Sequence, residues 1–523
     1  MRRQLLLASV LGLSLLTVAC TGRRGGGGGG GDDDDAAANG PLVRGLSIDG
    51  LALYQGVRID ILDGDDVVFD DAPVDVIAGR DGMLRVFVVT DSDWETRTVA
   101  AVAELDVDGE TMRFSAEGSI SSDTSDGSLS NSLNIDIPGE SMTRDTVLVS
   151  VKLVEVEDDV DAAGDDGGAE WEAPGGSIDF DARDTGTSLR VILVPIEYRG
   201  DGSGRMPDIS EEQLQIYRDA MYAQYPTREF DLEVGATMVV DYPITYWGEG
   251  WGEALEQLLW RRDSDGASFE EYYYGVFAPA QNFQTYCQSS CYAGLSSLVQ
   301  SPSTDWLRGS LGLGFSGEGS AETMVHEIGH AHGREHAPCQ VQGAGYYPHS
   351  GARIGVQGYD LTSRQLKDPN TYTDFMGYCD QTWVSDYTYN WLADRIDDVE
   401  LALCGGEPGD PAPECIRPGL AEQGVHVALD HLVSDTHVDA VVVEEEDEVA
   451  VRQFHWRWPG LNIVITAPRA PRDVSDEVRT KFVPLKWIFA FCVRNFASTM
   501  NHCVQWLRIC GAAHALRSPE RRW

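Results

Sequence analysis

The sequence predicts a multidomain protein, with an N-terminal all-β, sandwich-like domain over 42–184 followed by an α/β (α+β) domain over 185–403. Up to residue 184, short strand patterns follow one another and no segment has the helical period. From Ser188 onward, strands alternate with helices, which is typical of a mixed domain. The 42% hydrophobic and 24% charged residues are ordinary for a globular chain, and 523 residues suffice for two or three cores.

Three segments support the all-β domain. Residues 83–89 have the pattern of a mostly buried strand, and residues 105–114 alternate around Asp108-Gly109. Asp-Gly is a preferred centre for a two-residue hairpin turn. Residues 149–153 alternate again, so a β-sandwich is favoured.

The second domain begins with an apolar strand over 189–194. A helix is predicted next, with Ser210 and Gln213 spaced as a capping box and Pro226 ending the helical run. The remaining predicted elements are a helix over 252–262, a strand over 272–277 and a strand over 311–315, whose glycines leave its backbone approachable.

The N-terminus has the features of an export signal. Arg2 and Arg3 precede an apolar stretch, 5–18, that is too short to span a bilayer. The stretch ends Leu-Thr-Val-Ala-Cys at Cys20, which resembles the bacterial lipobox. Residues 1–20 are therefore predicted to be a lipoprotein signal peptide, with Cys20 as the membrane anchor. A simple cleaved signal peptide is the alternative, and both place the protein outside the cytoplasm, anchored at the outer membrane or cell surface or secreted.

Residues 21–41 contain seven consecutive glycines and four consecutive aspartates, which predicts a flexible tether. Export permits disulfides, and three pairings are proposed: Cys287–Cys291, Cys339–Cys379 and Cys404–Cys415.

Residues 404–523 have no clear periodicity, and their composition becomes basic after Arg469. A strand at 441–443 is predicted there; a poorly ordered tail, a non-native reading frame and a basic membrane-binding segment remain alternatives for this region.

The formal net charge of −46 argues against nucleic-acid binding, because phosphate recognition requires a basic surface. The acidic clusters at 63–66 and 158–166 are candidate Ca²⁺ sites. Neither has a calcium-ligand spacing, so solvated acidic loops are the favoured interpretation.

Residues 326–336 read His-Glu-Ile-Gly-His-Ala-His-Gly-Arg-Glu-His. His326 and His330 are four residues apart and share one helix face, so both imidazoles can reach one zinc ion. Glu327 can reach a metal-bound water without being a ligand. Gly333 can adopt the positive φ that ends a helix, and His336 can then supply a third ligand. Three protein ligands leave a position open, as in catalytic zinc sites.

This pattern resembles the zinc signature of the metzincin metallopeptidases. The resemblance covers about 188–398 and is specific over two motifs. The second is the Met-turn, 372–378, with Met376 lying 40 positions after His336. The resemblance implies a role for Tyr378 at the zinc, in stabilising an oxyanion, and implies that the substrate pairs with a glycine-bearing strand such as 311–315.

The overall sequence pattern, including the segment 383–389 after the Met-turn, is most similar to that of secreted bacterial metallopeptidases related to mucin-cleaving enzymes. His332 lies two residues after His330 and is expected to be a bystander or an outer-shell group. For Asp374, orientation of a ligand histidine and simple turn formation are both open.

The resulting prediction is a zinc endopeptidase that hydrolyses extracellular proteins or glycoproteins, with Glu327 as the general base. A non-catalytic, surface-anchored adhesin or glycan-binding protein with a structural zinc site is the alternative. A zinc hydrolase acting on a non-peptide bond is a further one. The substrate, its cleavage preference and the oligomeric state do not follow from the sequence.

Overall fold

The structure is a computed structural model that describes most of the chain between residues 40 and 403. The described ranges are 40–157, 164–185, 189–288, 290–343, 345–403, 451–458 and 461–468. The predictions that lie outside them are the signal peptide with Cys20, the tether up to residue 39, the acidic residues 158–163, the Cys404–Cys415 pair, the strand at 441–443 and the basic tail. The chain divides into two units, 1–413 and 414–523.

The first part of the described chain is built from ten strands. They are β1 (Leu46–Tyr54), β2 (Arg58–Asp63), β3 (Asp66–Val67), β4 (Gly82–Thr90), β5 (Arg97–Val107), β6 (Glu110–Ile120), β7 (Leu133–Ile137), β8 (Val147–Glu155), β9 (Glu170–Glu172) and β10 (Ile178–Asp179). One antiparallel sheet has the order β3-β2-β1-β4-β7. A second has the order β10-β8-β5-β6, with β9 also paired to β8.

Alternate side chains of both sheets fill one core, because successive side chains of a strand point to opposite faces. Leu51 and Leu53 of β1 lie in the same apolar cluster as Ala101 and Ala103 of β5. The strands predicted at 83–89 and 149–153 fall within β4 and β8. The predicted Asp108-Gly109 turn joins β5 to β6, and both residues have positive φ.

The second part of the described chain is mixed. Its elements are β11 (Leu189–Tyr198), α1 (Glu211–Gln224), β12 (Phe230–Val234), β13 (Met238–Val240), α2 (Trp251–Asp265), β14 (Tyr272–Phe277), α3 (Phe283–Tyr286), β15 (Gly294–Ser296), β16 (Gly309–Leu313), α4 (Glu318–Ala331), β17 (Gly358–Asp360), β18 (Gln365–Lys367), β19 (Thr373–Asp374), β20 (Thr382–Trp383) and α5 (Asp386–Leu403). The short pairs β17–β18 and β19–β20 form two-stranded sheets.

The main sheet of this part has the order β12-β11-β14-β16-β15, and β13 also pairs with β11. All these pairings are parallel except β15–β16, so β15 is an antiparallel strand at the edge of the sheet. Helices cover both faces, as a parallel sheet requires. Tyr272 and Tyr274 of β14 share a core cluster with α1 and α4, whereas Tyr273 and Phe277 of the same strand pack with α2.

Helix α1 begins as the sequence predicts but is capped by one side chain rather than two. The Ser210 hydroxyl accepts a hydrogen bond from the Gln213 amide at 3.4 Å. The Gln213 side chain does not return to Ser210; it bonds both the amide and the carbonyl of Gly317. The predicted capping box is therefore wrong. The Gln213 side chain binds the backbone of Gly317 instead, a contact that the local sequence does not predict.

The two parts share one apolar core. Arg80, fully buried, donates to the carbonyl oxygens of Gln55, Thr227 and Tyr222 at 3.1, 2.8 and 2.6 Å. The β-rich, mixed α+β character that the sequence predicts is confirmed, whereas separate domains over 42–184 and 185–403 remain a prediction.

Among the described residues, Cys287–Cys291 and Cys339–Cys379 form disulfides, as the sequence predicts. Disulfides persist in oxidising compartments, so these bonds indicate an extracellular or periplasmic protein. Within the described ranges, no helix is long and apolar enough to cross a membrane. In the second unit, β21 (Val451–Trp458) and β22 (Leu461–Pro468) form an antiparallel hairpin that the sequence analysis did not predict.

Candidate metal centre

Helix α4 carries the first two predicted ligands. Its buried side chains, among them Met324, Val325 and Ile328, fix it between the main sheet and the segments that follow it. His326 and His330 lie one helical turn apart on one face, and their ring centroids are 4.8 Å apart. The helix therefore presents two imidazoles to the same point.

The chain reverses at Gly333, as predicted. Its φ of 91° is in the left-handed region. The Gly333 amide donates to the carbonyl of His330 at 2.7 Å, and the Arg334 amide donates to that of Gly329 at 2.9 Å. A Cβ at Gly333 would overlap the carbonyl oxygen of Val299, so both the turn and the packing require glycine here.

This reversal brings His336 to the two helical histidines. Ligand atoms of the three residues all lie within 4.8 Å of one another. The Nε2 atoms of His330 and His336 are 3.1 Å apart. Two nitrogens bound tetrahedrally at about 2.0–2.1 Å from one zinc ion would be roughly 3.3 Å apart. The three side chains are thus spaced to hold one metal ion.

Main-chain carbonyls fix the orientation of the two helical imidazoles. His326 Nδ1 lies 2.8 Å from the Phe375 carbonyl oxygen, and His330 Nδ1 lies 2.6 Å from that of Arg334. Because a carbonyl only accepts, each Nδ1 carries the proton and each Nε2 keeps its lone pair. This arrangement is the usual outer support of a metal-binding histidine.

Burial keeps these imidazoles neutral. Desolvation lowers the pKa of His326 to about 4 and that of His330 to about 3, and it also lowers the pKa of His336. Only the neutral ring can bind a metal, so the three donors need no deprotonation at neutral pH. The chemistry of the donor set therefore fits a bound cation, and the three-histidine group can bind a metal.

Glu327 follows His326 in α4 but is not one of the three converging residues. Its side chain is buried between α4 and the edge strand β15, and burial raises its pKa to about 8. A nearby dication would favour the ionised carboxylate instead.

Met376 forms the floor of the site. It is fully buried, and a Cβ at Gly329 of α4 would lie 2.5 Å from its sulfur, so the helix has glycine where the methionine packs. The Met376 carbonyl accepts a hydrogen bond from the Ala337 amide at 3.0 Å. The Met-turn therefore packs against α4 and is also hydrogen-bonded to Ala337, the residue that follows His336.

The segment after His336 and the Met-turn are joined a second time. The Tyr378 amide donates to the Cys339 carbonyl at 2.8 Å, and the Cys339–Cys379 disulfide links the same two segments. The Tyr378 ring is 56% exposed, with its centroid 5.0 Å from that of His336 and 5.6 Å from that of His326. Its phenol is thus at the open side of the three histidines.

Asp374 folds the turn. Its Oδ1 accepts from the Met376 amide at 2.8 Å, and its Oδ2 accepts from the hydroxyls of Ser385 and Tyr347. No described hydrogen bond joins Asp374 to one of the three histidines. Its bonds are those of a turn-forming aspartate rather than of a residue that orients a ligand. The hydrogen bonds of Ser385 and Tyr347 to Asp374 were not predicted, because they depend on how separate segments fold together. Asp374 lies one residue before Phe375, whose carbonyl accepts from His326.

His332 points away from the metal group. It is buried and stacks on Tyr272, with centroids 4.2 Å apart and planes 8° apart. Its Nδ1 bonds the Ile328 carbonyl at 2.9 Å.

Within the described residues, the only group of side chains placed to hold a metal ion is His326, His330 and His336. The acidic residues Asp63 to Asp66 form no such cluster.

The strand predicted to pair with substrate has no free edge in the sheet. Segment 311–315 overlaps β16, which is buried and lies between β14 and β15. The edge position belongs to β15, whose three residues are partly exposed. A three-residue strand has no measurable hydrophobic period, and the order of strands in a sheet is not encoded locally. The sequence therefore does not predict β15 or its edge position.

No protein-family model matches the chain, and no curated protein matches it in sequence. Among solved structures, metalloproteinase-II from Bacteroides fragilis is similar at 11% identity, with a TM-score of 0.24, over 60% of this chain and 83% of that one. A structure described as a chaperone-substrate complex is similar at 10% identity, with a TM-score of 0.23, over 51% of this chain and 39% of that one. Similarities this low establish neither fold nor activity.

Proposed function

We propose that this protein is an exported zinc endopeptidase that cleaves extracellular proteins or glycoproteins. The observation that carries the proposal is the convergence of His326, His330 and His336, with Glu327 next to His326 in the helix and outside the ligand group. A structural zinc site is closed by four protein ligands, whereas three leave a position for water and substrate. The three neutral imidazoles suit zinc, which takes nitrogen donors readily.

The edge strand supports an extended polypeptide as the substrate. The outer N–H and C=O groups of β15 face away from β16, and such an edge binds an added strand through main-chain hydrogen bonds. Gly294, its first residue, lies against Glu327. A peptide paired with β15 would therefore pass the general base.

The residues then have distinct roles. When bound, zinc makes a water molecule more acidic and polarises the scissile carbonyl. Glu327 takes the proton from the water and delivers it to the nitrogen of the departing amine. The phenol of Tyr378 donates to the oxygen on which negative charge develops.

The test is a cleavage assay on casein and a mucin with the full chain, supplied with Zn²⁺, with and without a chelator. We expect cleavage that the chelator abolishes, and we expect Glu327→Gln to keep zinc but lose at least roughly 10²-fold in kcat. Undiminished turnover in Glu327→Gln would remove this residue from the mechanism. A zinc-loaded protein that cleaves neither substrate would favour the non-catalytic surface protein.

A further inference from the structure

Edge strand β15 has no room for a side chain at Gly294. A Cβ there would lie 2.5 Å from Cγ and 2.7 Å from Cδ of Glu327, and would overlap Oε1. Real Cβ atoms essentially never approach another heavy atom closer than 3.0 Å. Any residue other than glycine would therefore displace the carboxylate or the strand.

The backbone does not explain this glycine. Gly294 does not have positive φ, unlike Gly333. It pairs with Gly312 in regular antiparallel register, a conformation that any L-residue adopts. Glycine also weakens a strand, since it adds backbone freedom to the unfolded chain and packs nothing. The space taken by Glu327 is the feature of the fold that excludes a larger residue.

We propose that Gly294 is a positioning residue: it forms a notch in the edge strand that holds the Glu327 carboxylate beside the three histidines. This inference rests on the proposed function. The notch gives the carboxylate one place between α4 and β15, and a proton-transfer group must be held within a fraction of an ångström of its productive position. A Cβ at 294 removes that place while leaving the main chain of β15 free to pair.

The first experiment measures kcat, KM and bound zinc for Gly294→Ala in the full chain. We expect kcat to fall by roughly 10²-fold, the cost of about 1 Å of misplacement. We expect KM and zinc content to stay near those of the unaltered protein, because β15 still pairs and the histidines are untouched. Gly319→Ala, in the first turn of α4, is the matched control: its Cβ meets nothing within 4 Å, so it should leave kcat unchanged.

A double-mutant cycle then separates positioning from general damage. If Gly294 acts through Glu327, the pair Gly294→Ala with Glu327→Gln should be no slower than Glu327→Gln alone. Multiplied losses in the pair, or an undiminished kcat in Gly294→Ala, would overturn the inference while leaving the proposed function intact. Absence of chelator-sensitive cleavage by the unaltered protein would overturn the proposed function itself.

A stability cycle covers the case in which Gly294→Ala folds poorly. Shortening the clashing side chain in Gly294→Ala with Glu327→Ala should restore the melting temperature that Gly294→Ala lowers. If Glu327→Ala gives no recovery, the clash is not with this carboxylate and the notch does not exist.

Discussion

Single hydrogen bonds fix the orientation of the His326 and His330 imidazoles. Each Nδ1 donates to a main-chain carbonyl, one on the Met-turn and one on the turn after α4, so both Nε2 atoms point to the same place before any ion arrives. Preorganisation of this kind increases metal affinity, because little conformational freedom is lost on binding. His336 approaches from a different direction, as the third ligand of a tetrahedral metal ion must.

The neighbouring His332 shows what the same residue type does when it is not a ligand. Burial lowers its pKa to about 3, and the ring packs flat on Tyr272. A histidine that stays neutral in the fold but is protonated in the unfolded chain gives stability that is complete above about pH 6.5. That stability is lost as the pH falls towards the folded-state pKa.

Replacing His332 by Phe keeps the stacked ring and removes the titration. Between pH 6 and pH 4, we expect the free energy of unfolding of the unaltered protein to fall more steeply than that of His332→Phe, by about 1.4 kcal/mol per pH unit. Denaturant melts at several pH values, made on both proteins in the same metal-free buffer, measure the difference. Parallel slopes would show that His332 is not a buried neutral group.

At the scale of the elements, the segment that holds His336 lies outside the helices and strands. It lies beyond the end of α4 and is held to the Met-turn by the hydrogen bonds of Ala337 and Tyr378 and by the Cys339–Cys379 disulfide. The geometry of the third ligand therefore depends on a cross-link between two loops.

Replacing Cys339 and Cys379 together by Ser should lower stability and zinc retention together. The bond spans a sequence separation of 40, and the loop-entropy relation gives about 4 kcal/mol for its loss. Cys287 and Cys291 are the matched control pair, with a separation of 4 and about 2 kcal/mol.

Melting temperature and zinc content after dialysis against a weak chelator measure both effects. The control pair should retain zinc fully. Equal zinc retention by the two double variants would show that the Cys339–Cys379 bond does not hold His336 in place.

Elements with long patterns were predictable, and short ones were not. The strand at 272–277 coincides with β14, and Ser210 does cap α1, since these signals are local. Strand β15 has three residues and takes its edge position from the whole sheet. At the site, spacing predicted the three histidines and Gly333, and the metzincin resemblance implied Met376. Gly294 could not be found because its neighbour Glu327 is distant in sequence.

At the scale of the whole molecule, the β-rich part supports the part that carries the three histidines through shared buried contacts. Arg80 donates to carbonyls on both sides, and its guanidinium packs on Tyr222, 4.5 Å from the ring centroid. The indole of Trp383, close after the Met-turn, donates to the carbonyl of Gly56 at 2.8 Å. The Met-turn region is thus braced by the β-rich part.

Arg80→Ala tests whether the two parts unfold together. It leaves several buried carbonyls without their donor, so we expect a loss of roughly 3 kcal/mol and one unfolding transition shifted as a whole. Arg364→Ala is the control: its ion pair with Asp136 also joins the two parts but is exposed, so it should cost less than about 1 kcal/mol. Calorimetry in which only one of two transitions moves would instead support separate domains.

Zinc K-edge X-ray absorption of the zinc-loaded full chain identifies the atoms that bind the metal. We expect one zinc per chain with three imidazole nitrogens and oxygen from water at about 2.0–2.1 Å, and loss of one imidazole in His336→Ala. A sulfur ligand at about 2.3 Å, or an unchanged spectrum in His336→Ala, would contradict this expectation.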